Sequence, residues 1–236
     1  MEAVKINTRI QLRNILFCTD LSDAAANALP YATKLASHFG SKLYALYVRN
    51  TGQYAHAAPR QAPVLADLPE AQAREQINHS LAGFSGFDHD TLILEGELWP
   101  SIKAAINEKQ VDLLVLGTRG RTGISKLLLG SAAEEILRRS PRAVLTVGPR
   151  SPVQPSRTGE FGQILYATDF TPESMAAAPY AISLAQEYQA QLTLLHVLAE
   201  PKGTDLVSSG QLAAATERRL RQIVPPESEL GASRTA

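Results

Sequence analysis

The chain has 236 residues, with 23 basic and 23 acidic side chains, a formal net charge of zero and a sequence pI near 7.0. That balance supplies neither the basic footprint of a nucleic-acid binder nor an acidic tail, and 44% hydrophobic residues are enough for a packed core, which argues against wholesale disorder. Met1-Glu-Ala-Val-Lys-Ile-Asn7 lacks a signal-like apolar core, no later run approaches a membrane span, and a single cysteine, Cys18, gives no disulfide framework; a soluble cytoplasmic protein without a nucleic-acid or membrane partner is expected.

In chain order, residues 14–19 form a short, apolar, β-prone run that ends at Asp20. Ser22 and Asp23 are helix-start residues, and residues 24–39 carry Ala28, Tyr31, Leu35 and Phe39 at helical spacing before Gly40, which suits a helix stop. Leu43–Val48 reads as the second strand, and residues 51–64, rich in Ala, Pro, Gly and Gln, as a flexible loop. Residues 66–82 suit a helix through Leu68, Ala71, Ile77 and Leu81, Thr91–Leu94 a strand, and Trp99–Glu108 a helix that tolerates Pro100 in its first turn. Asp112–Leu116 is a fourth strand, Ala132–Arg139 a helix and Ala143–Val147 a fifth strand. Alternating strands and helices predict an α/β fold with an open, doubly wound parallel sheet and helices on both faces.

The chain then repeats itself. Asn14-Ile-Leu-Phe-Cys-Thr-Asp20 aligns with Gln163-Ile-Leu-Tyr-Ala-Thr-Asp169 at an offset of 149, held without a gap to Val48 and Val197. The offset pairs Pro30-Tyr31-Ala32 with Pro179-Tyr180-Ala181, so two copies of one supersecondary unit are expected. The second is partial, a βαβ unit with one more helix from about Ser209 to Val224. Expected divisions are 1–148 for a complete domain, 149–161 for a proline-bearing linker and 162–236 for the partial copy with a disordered tail. A two-stranded fragment is marginal alone and needs support.

Chemistry concentrates between the fourth strand and the next helix, in Gly117-Thr-Arg-Gly120-Arg-Thr-Gly-Ile-Ser-Lys-Leu-Leu-Leu-Gly130-Ser131. Glycines let backbone approach a ligand closely. Free amides and the dipole at the start of the following helix favour an anion there. Ser131 adds a hydroxyl, and Arg119, Arg121 and Lys126 add positive charge, so a phosphate chain is the expected guest. Solvated loop charge is an equal reading for Arg121 and Lys126. Neither the Gly-x4-Gly-Lys-Ser/Thr loop nor the Gly-x-Gly-x2-Gly fingerprint is present.

The spacing that is present, Gly-x2-Gly-x9-Gly-Ser from Gly117, Gly120, Gly130 and Ser131, resembles the ATP-binding branch of the universal stress protein family. The likeness runs on through Ser131-Ala-Ala-Glu-Glu-Ile-Leu-Arg-Arg-Ser-Pro-Arg-Ala-Val-Leu-Thr-Val-Gly148 and covers residues 10–148 and part of a second copy. It implies a five-stranded sheet in the order 3-2-1-4-5, with ligand at the carboxyl ends of strands one and four. It also implies Asp20 on the ribose side or near a metal, and Val48 backbone on the adenine edge. Gly117, Thr118, Arg119 and Gly120 would lie near ribose and phosphate, and Gly130, Ser131, Ala132 and Ala133 at the β- and γ-phosphates. The implied cofactor is ATP, with Mg2+ a candidate companion, and the implied assembly is a homodimer through the edge at residues 143–148.

Other residues carry bland readings. Asp20 also suits a turn or helix cap, and its recurrence as Asp169 strengthens that alternative. Cys18 reads as a small buried hydrophobe and Trp99 as a packing residue. His38, His56, His79, His89 and His196 show no metal-ligand spacing. The expected role is a nucleotide-binding regulatory module in stress adaptation. A slow ATPase and a nucleotide-free dimeric scaffold are the alternatives; without a dedicated base, hydrolysis is expected to be slow or absent.

Overall fold

A computed structural model describes residues 9–49, 68–118, 129–149, 151, 161–198 and 206–224. The chain divides into two compact units, Gln11–Arg157 and a second made of Met1–Ile10 with Thr158–Ala236.

In the first unit, β1 (Asn14–Cys18), β2 (Lys42–Arg49), β3 (His89–Glu95), β4 (Leu113–Gly117) and β5 (Ala143–Val147) form a parallel sheet in the order β3-β2-β1-β4-β5. The order inverts beside β1, because the chain leaves β1 toward β2 on one side and returns later as β4 on the other. Both faces are covered, so the central strands are continuously apolar: β4 is buried at all five positions. One face carries α4 (Leu98–Glu108) and α5 (Ser131–Arg139), whose Ile102, Ala105, Ile106, Ala133 and Ile136 close over Leu16, Leu46, Leu114 and Leu116.

The helix expected over 24–39 is two helices, α1 (Asp23–Ala26) and α2 (Leu29–Phe39). Pro30 sits in the first turn of α2 and has no N–H to donate back to the α1 carbonyls, so the helix must restart. Gly40 ends α2 in the left-handed conformation at φ 63°, with its N–H donating to the Ala36 carbonyl. The next helix, α3 (Glu70–Leu81), starts later than expected; Leu68 and Pro69 lie outside it, since the residue before a proline is pushed toward extended backbone. Asp112, expected to open β4, precedes it instead. Its Oδ2 accepts the backbone N–H groups of Arg13 at 2.8 Å and Asn14 at 3.0 Å, tying the starts of β1 and β4 together.

The second unit contains β6 (Gln163–Ala167), α6 (Pro172–Met175), α7 (Ala178–Glu187), β7 (Gln191–Leu195) and α8 (Leu206–Ile223). Its two strands pair in parallel with the register of β1 and β2 shifted by 149: Gln163 meets Gln191 as Asn14 meets Lys42. The helix break recurs, with Pro179 in the first turn of α7. Ile164, Tyr166, Leu192 and Leu194 point into a small core closed by Ala178, Ile182, Leu220 and Ile223. The Ile10 N–H donates to Ser183 Oγ at 3.1 Å, which joins the segment before Gln11 to this unit.

Candidate functional site

The inversion of strand order leaves a crevice beyond the carboxyl ends of β1 and β4, where ligands of open α/β sheets sit. A cavity of about 450 Å³ lies there, lined by Asp20, Val48, Gly117, Thr118, Gly130, Ser131, Ala132 and Ala133. Eight residues named from the sequence thus share one cavity; Arg119 and Gly120, with Arg121 and Lys126, lie outside the described residues.

Each wall has a local cause. Beyond β1, the Thr19 N–H reaches the Leu46 carbonyl at 3.0 Å, and the backbone then turns through Leu21 at φ 64°. Thr19 Oγ1 accepts the Leu21 N–H at 3.0 Å, which holds this left-handed residue in place. Asp20 Oδ1 accepts both the Ser22 N–H at 3.1 Å and the Ser22 hydroxyl at 2.5 Å, while Ser22 Oγ accepts the Ala25 N–H at 3.2 Å and caps α1. Asp20 therefore builds the turn and faces the cavity at once. On the other wall, the Gly130 N–H donates to the Thr118 carbonyl at 2.7 Å, and the Thr118 N–H to the Val147 carbonyl at 2.9 Å. Gly130, which the family resemblance sets at the phosphates, thus has its own amide engaged within the protein. Ser131, Ala132 and Ala133, the first three residues of α5, line the cavity, and a helix start leaves their amides without intrahelical acceptors. Thr118 Oγ1 is buried with no hydrogen-bond partner among the described residues.

The floor is apolar and was not read as site from the sequence. Cys18, Leu46, Leu98, Ile102, Leu116 and Ile136 line it beneath the polar mouth. Cys18 is half-buried and faces the cavity, less enclosed than the buried hydrophobe expected, and desolvation pushes its thiol up to about 12, which keeps it protonated. Asp20 is the one charged residue among the described lining residues. Among the described residues, no group of three or more His, Cys, Asp or Glu is placed to hold a metal ion.

Among its described residues, the second unit repeats the turn without the cavity's far wall. Thr168 Oγ1 accepts the Phe170 N–H at 2.9 Å, and Phe170 has φ 62°. Asp169 Oδ1 accepts the Thr171 hydroxyl at 2.7 Å and the Thr171 N–H at 3.0 Å. Those bonds, the Thr171 hydroxyl first and then the Ser174 hydroxyl, hold the Asp169 carboxyl well below the usual carboxylate range.

A doubly wound α/β protein with a cavity at its strand-order inversion, between the turn after β1 and the start of α5, is the class that fold and site define. A model of the universal stress protein family matches residues 11–148 and again 160–225, and the chain belongs to that family. A universal stress protein of Methanocaldococcus jannaschii is 30% identical over 138 residues, covering 57% of this chain and 81% of its own length. One from Thermus aquaticus is 30% identical over 137 residues, covering 57% and 98%. Among solved structures, the universal stress protein UspA of Lactobacillus plantarum aligns with TM-score 0.50 and 27% identity over 59% of this chain and 99% of that one. A universal stress protein of Archaeoglobus fulgidus, 20% identical with TM-score 0.57, shares the fold over 88% of this chain and 76% of that one. No helix among the described residues is long and apolar enough to cross a membrane.

Proposed function

We propose that this protein binds an adenine nucleotide, ATP, in the cavity at β1 and β4, as a regulatory module of stress adaptation in the cytoplasm. What supports the reading is that Ser131, Ala132 and Ala133, the first residues of α5, line the same cavity as Asp20, Val48 and Gly117. Phosphates take the helix start and the Ser131 hydroxyl, where the dipole favours negative charge. Gly117 admits the sugar–phosphate backbone closely, and the apolar floor around Val48 and Leu98 accommodates the base. Arg119 and Gly120 complete the loop in this reading. A Mg2+ ion would use phosphate oxygens and the Asp20 carboxylate, oxygen ligands of the kind it prefers. Turnover is slow or absent in this reading: Asp20 is the one described carboxylate at the cavity and already accepts two hydrogen bonds from Ser22.

The assembly proposed with it is a homodimer through β5. Among the described residues this strand pairs only with β4 and leaves an edge whose Val144 and Leu145 are half-buried.

Mass spectrometry of the small molecules released from freshly purified protein, followed by calorimetric titration with ATP, tests the function. Co-purified adenine nucleotide or saturable ATP binding supports it. An empty protein that gives no heat with ATP overturns it. Sedimentation at micromolar concentration tests the assembly, for which a monomer is the failing result.

A further inference from the structure

The turn after β1 has a second cavity on its other side, of about 150 Å³, between α1, the start of α2 and the later half of α3. Phe17 of β1, Leu29 of α2, and Ile77 and Leu81 of α3 form an apolar floor, each 6% exposed or less. Leu21 and Ala26 stand at its sides. The exposed residues Asp23, Gln76 and Ser80 make the rim. The Ser80 hydroxyl donates its proton to the Gln76 carbonyl at 2.9 Å, which leaves its oxygen as an acceptor. Neither the Asp23 carboxylate nor the Gln76 side-chain amide has a hydrogen-bond or ion-pair partner among the described residues. No Lys, Arg or His is among the described lining residues. Thr19 is the one described residue that this cavity shares with the cavity at β1 and β4.

The second unit fills the corresponding place with its own side chains. At the 149 offset, Leu21 becomes Phe170 and Ala26 becomes Met175, and both pack against the second core. These two gains in bulk exceed the one loss, Leu29 to Ala178. Arg219 of α8, the helix that follows β7 as α3 follows β2, sets its guanidinium 4.0 Å over the Phe170 ring. Pro172 stands where the first unit has Asp23. The second unit thus supplies a ring and a cation from its own chain. The first unit has smaller side chains there, open space and a carboxylate at the rim.

From this we infer that the cavity between α1, α2 and α3 is a binding site for a small primary ammonium that carries a hydrocarbon ring. Size sets the body: a cavity of this volume takes a six-carbon ring. The apolar floor removes that ring from water. Charge sets the head group. An ammonium has three N–H donors and no acceptor, which suits a rim where Asp23, Gln76 and Ser80 all offer oxygen. An anion would meet the Asp23 carboxylate with no basic side chain among the described lining residues to offset it. The inference does not depend on the nucleotide reading.

The probe is benzylamine, titrated at neutral pH into the full-length protein and followed by amide chemical shifts. Saturable shifts in the millimolar range are expected at residues 21–29 and 76–81. Benzyl alcohol, with the same ring and no charge, should bind at least about threefold more weakly, the scale of an exposed ion pair. Benzoate should not bind. Asp23→Asn keeps the space and should abolish the preference for the amine over the alcohol. Leu21→Phe with Ala26→Met copies the second unit's side chains and should block both ligands, with circular dichroism verifying the fold. Should that double variant not fold, Asp23→Asn still decides. The inference is overturned if benzylamine gives no saturable shift, if benzoate binds as well as the amine, or if Asp23→Asn leaves the preference for the amine unchanged.

Discussion

The two units begin alike and diverge at their far halves. Both run strand, broken helix, strand in one register, and both turn through Thr-Asp-x-Ser/Thr with a left-handed third residue. Only the first unit adds, among the described residues, a second wall of β4 and α5 to make a cavity beside that turn. The turn is therefore a folding device in its own right, able to exist without a ligand site. In the function proposed for this protein, the ligand site forms where the start of α5 is brought to the same cavity as that turn.

The sharpest way to test this comparison is through stability. Leu16→Ala empties a fully buried position and should destabilise the first unit by about 2–5 kcal/mol in urea denaturation, whereas Leu165→Ala, at a mostly exposed position, should stay within about 0.5 kcal/mol. Equal effects would mean that the β6–β7 face is covered in solution. Binding separates the units next. Ala132→Asp places a carboxylate at the α5 start, where it suits the helix dipole but repels phosphate. ATP affinity should fall about 10- to 100-fold with the ligand-free melting temperature unchanged, as read by calorimetric and thermal titration. Smaller still, Ser22→Ala and Thr171→Ala each remove the side-chain acceptor that caps a short helix and should each cost about 1 kcal/mol in chemical denaturation. Of the two, only Ser22→Ala should also weaken ATP, because it removes the hydroxyl that orients the Asp20 carboxylate at the cavity.

Acid gives the last and gentlest test. Asp169 is depressed in the folded state, so its contribution to stability is present above the unfolded carboxylate value of about 3.9 and is lost as pH falls through the lower folded value. Thermal unfolding followed from pH 5 to pH 2 should show a decline that is shallower in Asp169→Asn. Parallel slopes for the two proteins would remove the role given to that turn.

Strand identity and order were legible because buried parallel strands are short apolar runs and the motif fixed the family. The paired prolines were visible too, yet the break they impose between Ala26 and Leu29 was not, because apolar spacing continued through it. The left-handed Leu21 and Phe170 gave no local signal, since neither residue type favours that backbone; hydroxyls of Thr19 and Thr168 hold them there. The role of Asp112 depends on partners nearly a hundred positions away in sequence. At the site, the polar rim was readable and the apolar floor was not. Periodicity marks Leu98 and Ile102 as inward-facing, but it does not distinguish packing against protein from facing a cavity.

The bond from Gly130 to the Thr118 carbonyl has a consequence for how such a protein can change over generations. It fixes the distance between the end of β4 and the start of α5 whatever the intervening sequence does. Since each doubling of a closed loop costs only about 0.6 kcal/mol in chain entropy, a longer or shorter connection beyond Gly120 would weaken this clamp little, and the nucleotide contacts proposed for Arg119 and Gly120, not chain entropy, would limit its length.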